Sequence, residues 1–143
     1  LNNGQAFAKL ISFVRAQGGN PDVLFHPELL PTAKYQIEVR LEQDGYVQAI
    51  DSYRLGHVAM LLGAGRLEYA AEIDLAVGIT LKKRVGDPVT ANEVIAILHV
   101  SDLSNENIGQ WVASTSSAFI ITAQPTKPLP ILLGRCTHEG FIP

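Results

Sequence analysis

The amino-acid sequence predicts an α+β fold: a mixed, largely antiparallel β structure with one helix inserted into it and a helix flanking each end. Three observations carry this expectation. Lys34 to Leu41 alternates, with Tyr35, Ile37, Val39 and Leu41 on one side and Lys34, Gln36, Glu38 and Arg40 on the other, the pattern of a half-buried strand. Leu55, Val58, Ala59 and Leu62 fall at i, i+3, i+4 and i+7, which lays one apolar stripe along a short helix. Strand-like segments stand on both sides of that helix, Tyr46 to Ile50 before it and Ile79 to Lys83 and Val94 to Val100 after it.

Taken in order, the chain opens with a helix that Asn3 can cap and in which Phe7, Leu10, Ile11 and Val14 form the apolar stripe. Gly18-Gly19 stops it and Pro21 prevents its continuation. Pro21, Pro27 and Pro31 then predict an extended connection from Asn20 to Ala33 with little regular structure. The expected division is therefore residues 1–33, a helix and proline-rich connection, and residues 34–143, a folded domain. Asp44-Gly45 tolerates positive φ and predicts a reversal that pairs Lys34 to Leu41 with Tyr46 to Ile50. Asp51 or Ser52 caps the inserted helix, and Gly63 ends it. Val85-Gly86-Asp87 turns the chain into the Val94 to Val100 strand. Ser101 or Ser104 can cap a last helix carrying Ile108, Trp111 and Val112. Phe119 to Ala123 is extended, and Ile131 to Leu133 is a candidate final strand after Pro125, Pro128 and Pro130. Leu10, Val39, Val47, Leu62, Val77 and Ile95 are the expected core.

The 143 residues suit one domain, and 47% hydrophobic residues supply a core. A net charge of -3, with Lys82-Lys83-Arg84 as the one basic cluster, leaves no electrostatic footprint for nucleic acid. Cys136 is the single cysteine, so no internal disulfide forms and nothing points to an oxidising compartment. No apolar run approaches the roughly 18–20 residues that span a bilayer. Leu1 opens the chain with no initiating Met or signal segment, so the beginning reads as cut from something longer, and the expected location is cytoplasmic.

Residues able to carry chemistry are few. His26, His57, His99 and His138 are scattered without carboxylates or cysteines at metal-ligand spacing, and each reads as a structural or surface histidine. Gly63-Ala64-Gly65-Arg66 has the composition of a phosphate loop, but it follows a helix, whereas a phosphate loop runs from a strand into one. Ser114-Thr115-Ser116-Ser117 lacks the surroundings of a nucleophile elbow and reads as a polar helix end. Cys136 and His138 stand two apart in a proline-flanked tail, without the oriented geometry of a catalytic pair. No catalytic, cofactor or metal residue is assigned.

A wider set of residues resembles a known family. Gly45-Tyr46-Val47, Ile50-Asp51, Leu55-Gly56, Leu61-Leu62-Gly63-Ala64-Gly65-Arg66, Ile73-Asp74, Ala76-Val77-Gly78 and Val85-Gly86-Asp87 occur in an order similar to the C-terminal part of pyrimidine-nucleoside phosphorylases, the group that includes thymidine phosphorylase. Ala16-Gln17-Gly18-Gly19-Asn20-Pro21 and Leu29-Leu30-Pro31-Thr32-Ala33 agree with it. The likeness runs from about Asn3 to Val100, and Gly134 to Pro143 departs from it.

The resemblance implies a hammerhead-like domain in which the inserted helix separates two barrel-sandwich-like halves, attached to a catalytic part that precedes residue 1. The parent enzyme cleaves pyrimidine nucleosides with phosphate to free base and (deoxy)ribose 1-phosphate, and works as a homodimer. The residues that bind phosphate and base in the family precede this stretch, so none is carried over. What the resemblance assigns here is a cleft-closing loop, with Gly63, Gly65, Arg66, Glu72 and Asp74 as its candidate residues. No cofactor, nucleic acid or membrane is implied, and the isolated chain is expected to be inactive. The competing reading is a biotinyl- or lipoyl-like carrier or binding module. Lys82 and Lys83 raise it, since such domains present a modified lysine at a hairpin tip; here, however, Gly86-Asp87 occupies the tip and Met60 is the only methionine.

Overall fold

The structure is a computed structural model that describes residues 2–66, 68–128, 130 and 132–142. It divides into two compact units, Leu1–Thr32 and Ala33–Pro143.

In the first unit, α1 (Gln5–Ala16) carries the expected stripe. Asn3 lies one residue outside the cap position, held by Gly4, and its side-chain oxygen accepts the Gln5 N–H at 3.1 Å. The helix ends in a pair of bonds that return on its last turn, Gly18 N–H to the Arg15 carbonyl at 3.0 Å and Gly19 N–H to the Val14 carbonyl at 2.9 Å. The following stretch is not the extended connection that its prolines predict. Two 3₁₀ turns form, Pro21–Leu24 and Pro27–Leu29, each with a proline in its first turn, where a missing N–H costs nothing. Asn20 caps the first by accepting the Asp22 N–H at 2.9 Å. Phe25 then meets Phe7 edge to face, with ring centroids 5.3 Å apart.

The second unit is α+β, and its described strands form open antiparallel sheets with no closed barrel. One sheet has β5 (Val94–Val100) at its centre, with β1 (Tyr35–Arg40) on one edge and β3 (Gly78–Leu81) on the other. Tyr35 faces Val100 and Val39 faces Ala96 on the first edge; Gly78 faces His99 and Leu81 faces Ala96 on the second. The other three-stranded sheet has β2 (Gly45–Ile50) between β4 (Pro88–Val89) and β6 (Phe119–Thr122). Helix α2 (Ser52–Ala59) is inserted between β2 and β3, and α3 (Ile108–Ser117) precedes β6.

The expected β1–β2 hairpin does not exist, because the two strands belong to different sheets. The backbone between them is committed elsewhere. Leu41 exchanges bonds with the 90–93 turn, its N–H to the Glu93 carbonyl at 3.3 Å and its carbonyl from Asn92 N–H at 2.6 Å. Asp44 Oδ1 accepts the Ala91 N–H at 2.7 Å. Asp44-Gly45 thus marks a crossing from one sheet to the other. Gly45 has φ 151°, and a Cβ there would lie 2.6 Å from the Thr122 carbonyl oxygen and 2.7 Å from Ile121 Cγ2.

The core joins both sheets to the inner faces of α2 and α3. Val39, Val47, Ile95 and Leu98 are fully buried, Val58 and Leu55 enter from α2, and Trp111 and Val112 pack on from α3. Of the expected core, Val77 is also buried and Leu62 is half-buried against the cluster. Leu10 is not a core residue: it lies in the first unit and is 43% exposed. Thr115 corrects the polar reading of Ser114 to Ser117. Ile108, Trp111, Val112 and Thr115 fall at i, i+3, i+4 and i+7, so Thr115 shares the apolar face. It is fully buried, and its hydroxyl has no hydrogen-bond partner among the described residues.

Neither Ser101 nor Ser104 caps α3. Ser101 donates to Asp74 and Ser104 to Asp102, while Asn105 shapes the helix start by accepting the Asn107 N–H at 2.9 Å. In the tail, Ile131 lies outside the described residues, and Leu132 and Leu133 are exposed and not in a strand. The last strands are instead the hairpin β7 (Arg135–Thr137) and β8 (Gly140–Ile142), closed by Thr137 Oγ1, which accepts the Glu139 N–H at 3.2 Å.

Gly45→Val tests the sheet crossing. A β-branched residue is strained at this φ and collides with β6, so we expect a loss of about 1–3 kcal/mol in chemical denaturation. An unchanged midpoint would show that β6 can move aside.

Candidate functional site

The candidate loop is built from its two ends. Asp51 caps α2 by accepting the Arg54 N–H at 3.0 Å, and Leu55 and Val58 turn the helix onto the core. The helix then widens into a π turn, Met60–Ala64, in which Gly63 leaves helical geometry with φ 111°. That conformation aims the Gly63 carbonyl at the far end of the loop, where it accepts the Asp74 N–H at 2.9 Å. The chain between them leaves and re-enters the fold at one point.

Asp74 locks this base. Its Oδ1 accepts the Ala76 N–H at 2.9 Å and its Oδ2 accepts the Ser101 hydroxyl at 2.5 Å, directly after β5. The Ser101 hydroxyl, and next the Ala76 N–H, hold the Asp74 carboxyl below the ordinary value of 3.8, against a smaller opposing effect of desolvation. Gly65 lies on Met60, where an added Cβ would stand 3.0 Å from Met60 Cγ.

The outer part is different. Arg66, Glu68, Tyr69 and Glu72 are exposed, Tyr69 almost completely at 97%. Ala71 N–H bonds the Glu68 carbonyl at 3.1 Å, a local turn in the tip. Among the described residues, neither Arg66 nor Glu72 has an ion-pair or side-chain hydrogen-bond partner. Leu67 lies outside the described residues. The structure thus brings Gly63 and Asp74 together at the base and leaves Arg66 and Glu72 on an open tip. The sequence reading missed Ser101 as the partner of Asp74; both are short polar residues, 27 positions apart, and only the return of β5 beside the loop base joins them.

Other candidates are placed as follows. Lys83 is 16% exposed in its side chain, paired with Glu93 at 2.6 Å and donating to the Pro88 carbonyl at 2.7 Å. Lys83 held this way is not presented for modification, whereas Lys82 is exposed. His99 Nε2 lies 2.8 Å from Thr80 Oγ1, and His26 Nδ1 lies 3.0 Å from Glu28. Cys136 is exposed on β7. Among the described residues no three His, Cys, Asp or Glu side chains gather to hold a metal ion, and no helix is long and apolar enough to cross a membrane.

These features define an α+β domain that presents a pinned polar loop. Comparison with known proteins gives the family. Residues 46–118, from β2 to the end of α3, match the pyrimidine nucleoside phosphorylase C-terminal domain. The chain is 46% identical over 128 residues to the pyrimidine-nucleoside phosphorylase of Staphylococcus aureus (strain USA300), and 40% identical over 128 residues to that of Staphylococcus haemolyticus (strain JCSC1435). Each match covers 90% of this chain and 29% of the relative. The chain belongs to the pyrimidine nucleoside phosphorylase C-terminal domain family.

Ser101→Ala tests the loop base through pH. The Asp74 pKa is depressed on folding, so its contribution is present above the unfolded value of 3.8 and is lost as pH falls through the lower folded value. The variant should melt below the wild type at neutral pH, and the gap should shrink in acid. A gap independent of pH would show that Ser101 acts by packing alone.

Proposed function

We propose that this chain is the C-terminal part of a pyrimidine-nucleoside phosphorylase and that residues 64–78 close over the cleft of the catalytic part. The match to phosphorylases across 90% of the chain carries the first statement. In the proposed reaction the N-glycosidic bond breaks, a phosphate oxygen bonds to the anomeric carbon, and the pyrimidine leaves as the free base after taking a proton. Those steps need a cationic phosphate clamp and polar groups on the base. They belong to residues outside this chain, whose share is support and closure. The hammerhead-like arrangement and a homodimeric parent belong to the same proposal and rest on the resemblance, and a cytoplasmic location is proposed with them.

The loop supports the closing role physically. Its base is pinned by Gly63, Asp74 and Ser101, so the tip can change its contacts while the domain stays folded. Arg66 at that tip has no partner among the described residues and can take an anionic or carboxylate one across a cleft. The carrier reading is not favoured, given the match to the phosphorylase C-terminal domain.

Two measurements follow. The isolated chain, assayed with uridine or thymidine plus phosphate, should show no phosphorolysis above background; turnover by material free of contaminating enzyme would overturn the division of labour. In the full-length protein, Arg66→Ala should raise KM or lower kcat, while the isolated chain keeps its stability within about 0.5 kcal/mol. Equal hydrogen-exchange protection of residues 64–78 in the isolated chain and in the substrate-bound enzyme would rule out closure.

A further inference from the structure

Helix α3 has two faces with the same period. Ile108, Trp111, Val112 and Thr115 point to the core. Asn107, Gln110, Trp111 and Ser114, also at i, i+3, i+4 and i+7, line a cleft of about 500 Å³ whose other wall is His57 from α2 and Leu61 from the π turn that follows it. Trp111 belongs to both faces, half-buried with its ring packed against the core cluster and lining the cleft.

Most polar side chains of this cleft make no bond within the fold, while Asn105, which also lines it, spends its carboxamide oxygen on the Asn107 N–H. Among the described residues, the side chains of His57, Asn107, Gln110 and Ser114 and the Trp111 indole N–H have no hydrogen-bond partner. Asn107 occupies the N-cap position of α3, yet its carboxamide makes no cap bond. Four polar side chains elsewhere in the same unit are used locally: Ser101 on Asp74, Ser104 on Asp102, Thr80 with His99, Ser117 with Arg54. No carboxylate, lysine or arginine lines the cleft, so an ionic ligand would lose hydration without gaining a counter-charge.

We propose that the α2–α3 cleft binds a neutral, flat ring with an edge of adjacent N–H and C=O groups, that is, a nucleobase or the base of a nucleoside. Trp111 supplies the stacking platform, which accepts any π face. The carboxamides of Asn107 and Gln110 both donate and accept, as a base edge requires. The volume falls within the range of small-molecule sites and has room for a base with its sugar. The inference does not rest on the phosphorolysis reading, because the cleft belongs wholly to this chain.

Trp111 is the only tryptophan, so a ¹⁵N-labelled sample of the 143-residue chain gives one indole N–H resonance, a direct reporter of the cleft. Uracil and uridine should move that resonance saturably, and ribose alone should leave it in place. The double variant Asn107→Ala, Gln110→Ala should weaken uracil binding by about tenfold or more with an unchanged far-UV spectrum. If the double variant fails to fold, Gln110→Ala alone, at an exposed position, should still weaken it. An indole resonance unmoved at the solubility limit of uracil, a response to ribose equal to that to uracil, or undiminished affinity in the folded variants would overturn the proposal. Because the readout is binding to this chain and not turnover, its failure leaves the phosphorolysis reading untouched.

Discussion

Strand β5 is the constraint on which the second unit depends. It is the strand of its sheet that is bonded on both edges, to β1 on one side and β3 on the other. Ile95, Ala96, Leu98 and Val100 are buried, so its side chains meet apolar surroundings on both faces. A strand in that position can hold neither a charge nor a proline, and Val-Ile-Ala-Ile-Leu-His-Val is suited to it. His99 is the exception, and it stands opposite Gly78, where the Thr80 hydroxyl meets its ring.

The candidate loop inherits its geometry from that strand. Ser101 follows β5 directly, and its bond to Asp74 ties the loop base to the most buried part of the unit. Gly63 provides the other tie through its carbonyl, after a turn that only a residue tolerant of positive φ makes easily. Rigid base and open tip are therefore two results of one arrangement. Lys83 and Glu93 perform a similar service on the other side, joining the end of β3 to the turn before β5. The Lys83 ammonium, and next the Thr90 N–H, hold the Glu93 carboxyl below its ordinary range.

What could be read from the sequence was whatever a single period encodes. The alternation of Tyr35 to Leu41, the stripe of α2, the Asp51 cap and the β-prone run after Val94 each state their own structure locally. The pairing of strands was not legible, since it is decided by which backbone groups remain free. Asp44-Gly45 looks like a hairpin turn in isolation; in the fold it is a crossing, with residues 41 and 44 bonded to Ala91, Asn92 and Glu93. The proline-rich connection misled for a related reason: proline forbids helix interiors but starts 3₁₀ turns well. For the candidate loop, the resemblance to a family singles out Gly63, Gly65, Arg66, Glu72 and Asp74, and the bond between Gly63 and Asp74 is seen only in the structure. The anchoring role of Ser101 and the cleft beside Trp111 were not legible, because both arise from segments that meet only in three dimensions.

The sheet crossing at Gly45 has a consequence for how the molecule is made. Consecutive strands β1 and β2 cannot help each other, so each waits for a partner far along the chain. The first sheet has a centre only once Val100 has been synthesised, and the second lacks β6 until Thr122 has followed. The β3–β5 pair closes locally, but β1 and β2 gain nothing until loops of this length close, which places their pairing among slow-forming contacts. On the ribosome, β1 and β2 would leave the exit tunnel as exposed, unpaired strands, with Tyr35, Ile37, Val39 and Val47 uncovered while most of the unit is still to be translated. A chain stopped short of α3 would hold the first sheet but only the β2–β4 pair of the second, and the unpaired edge of β2 would be open to association with other chains.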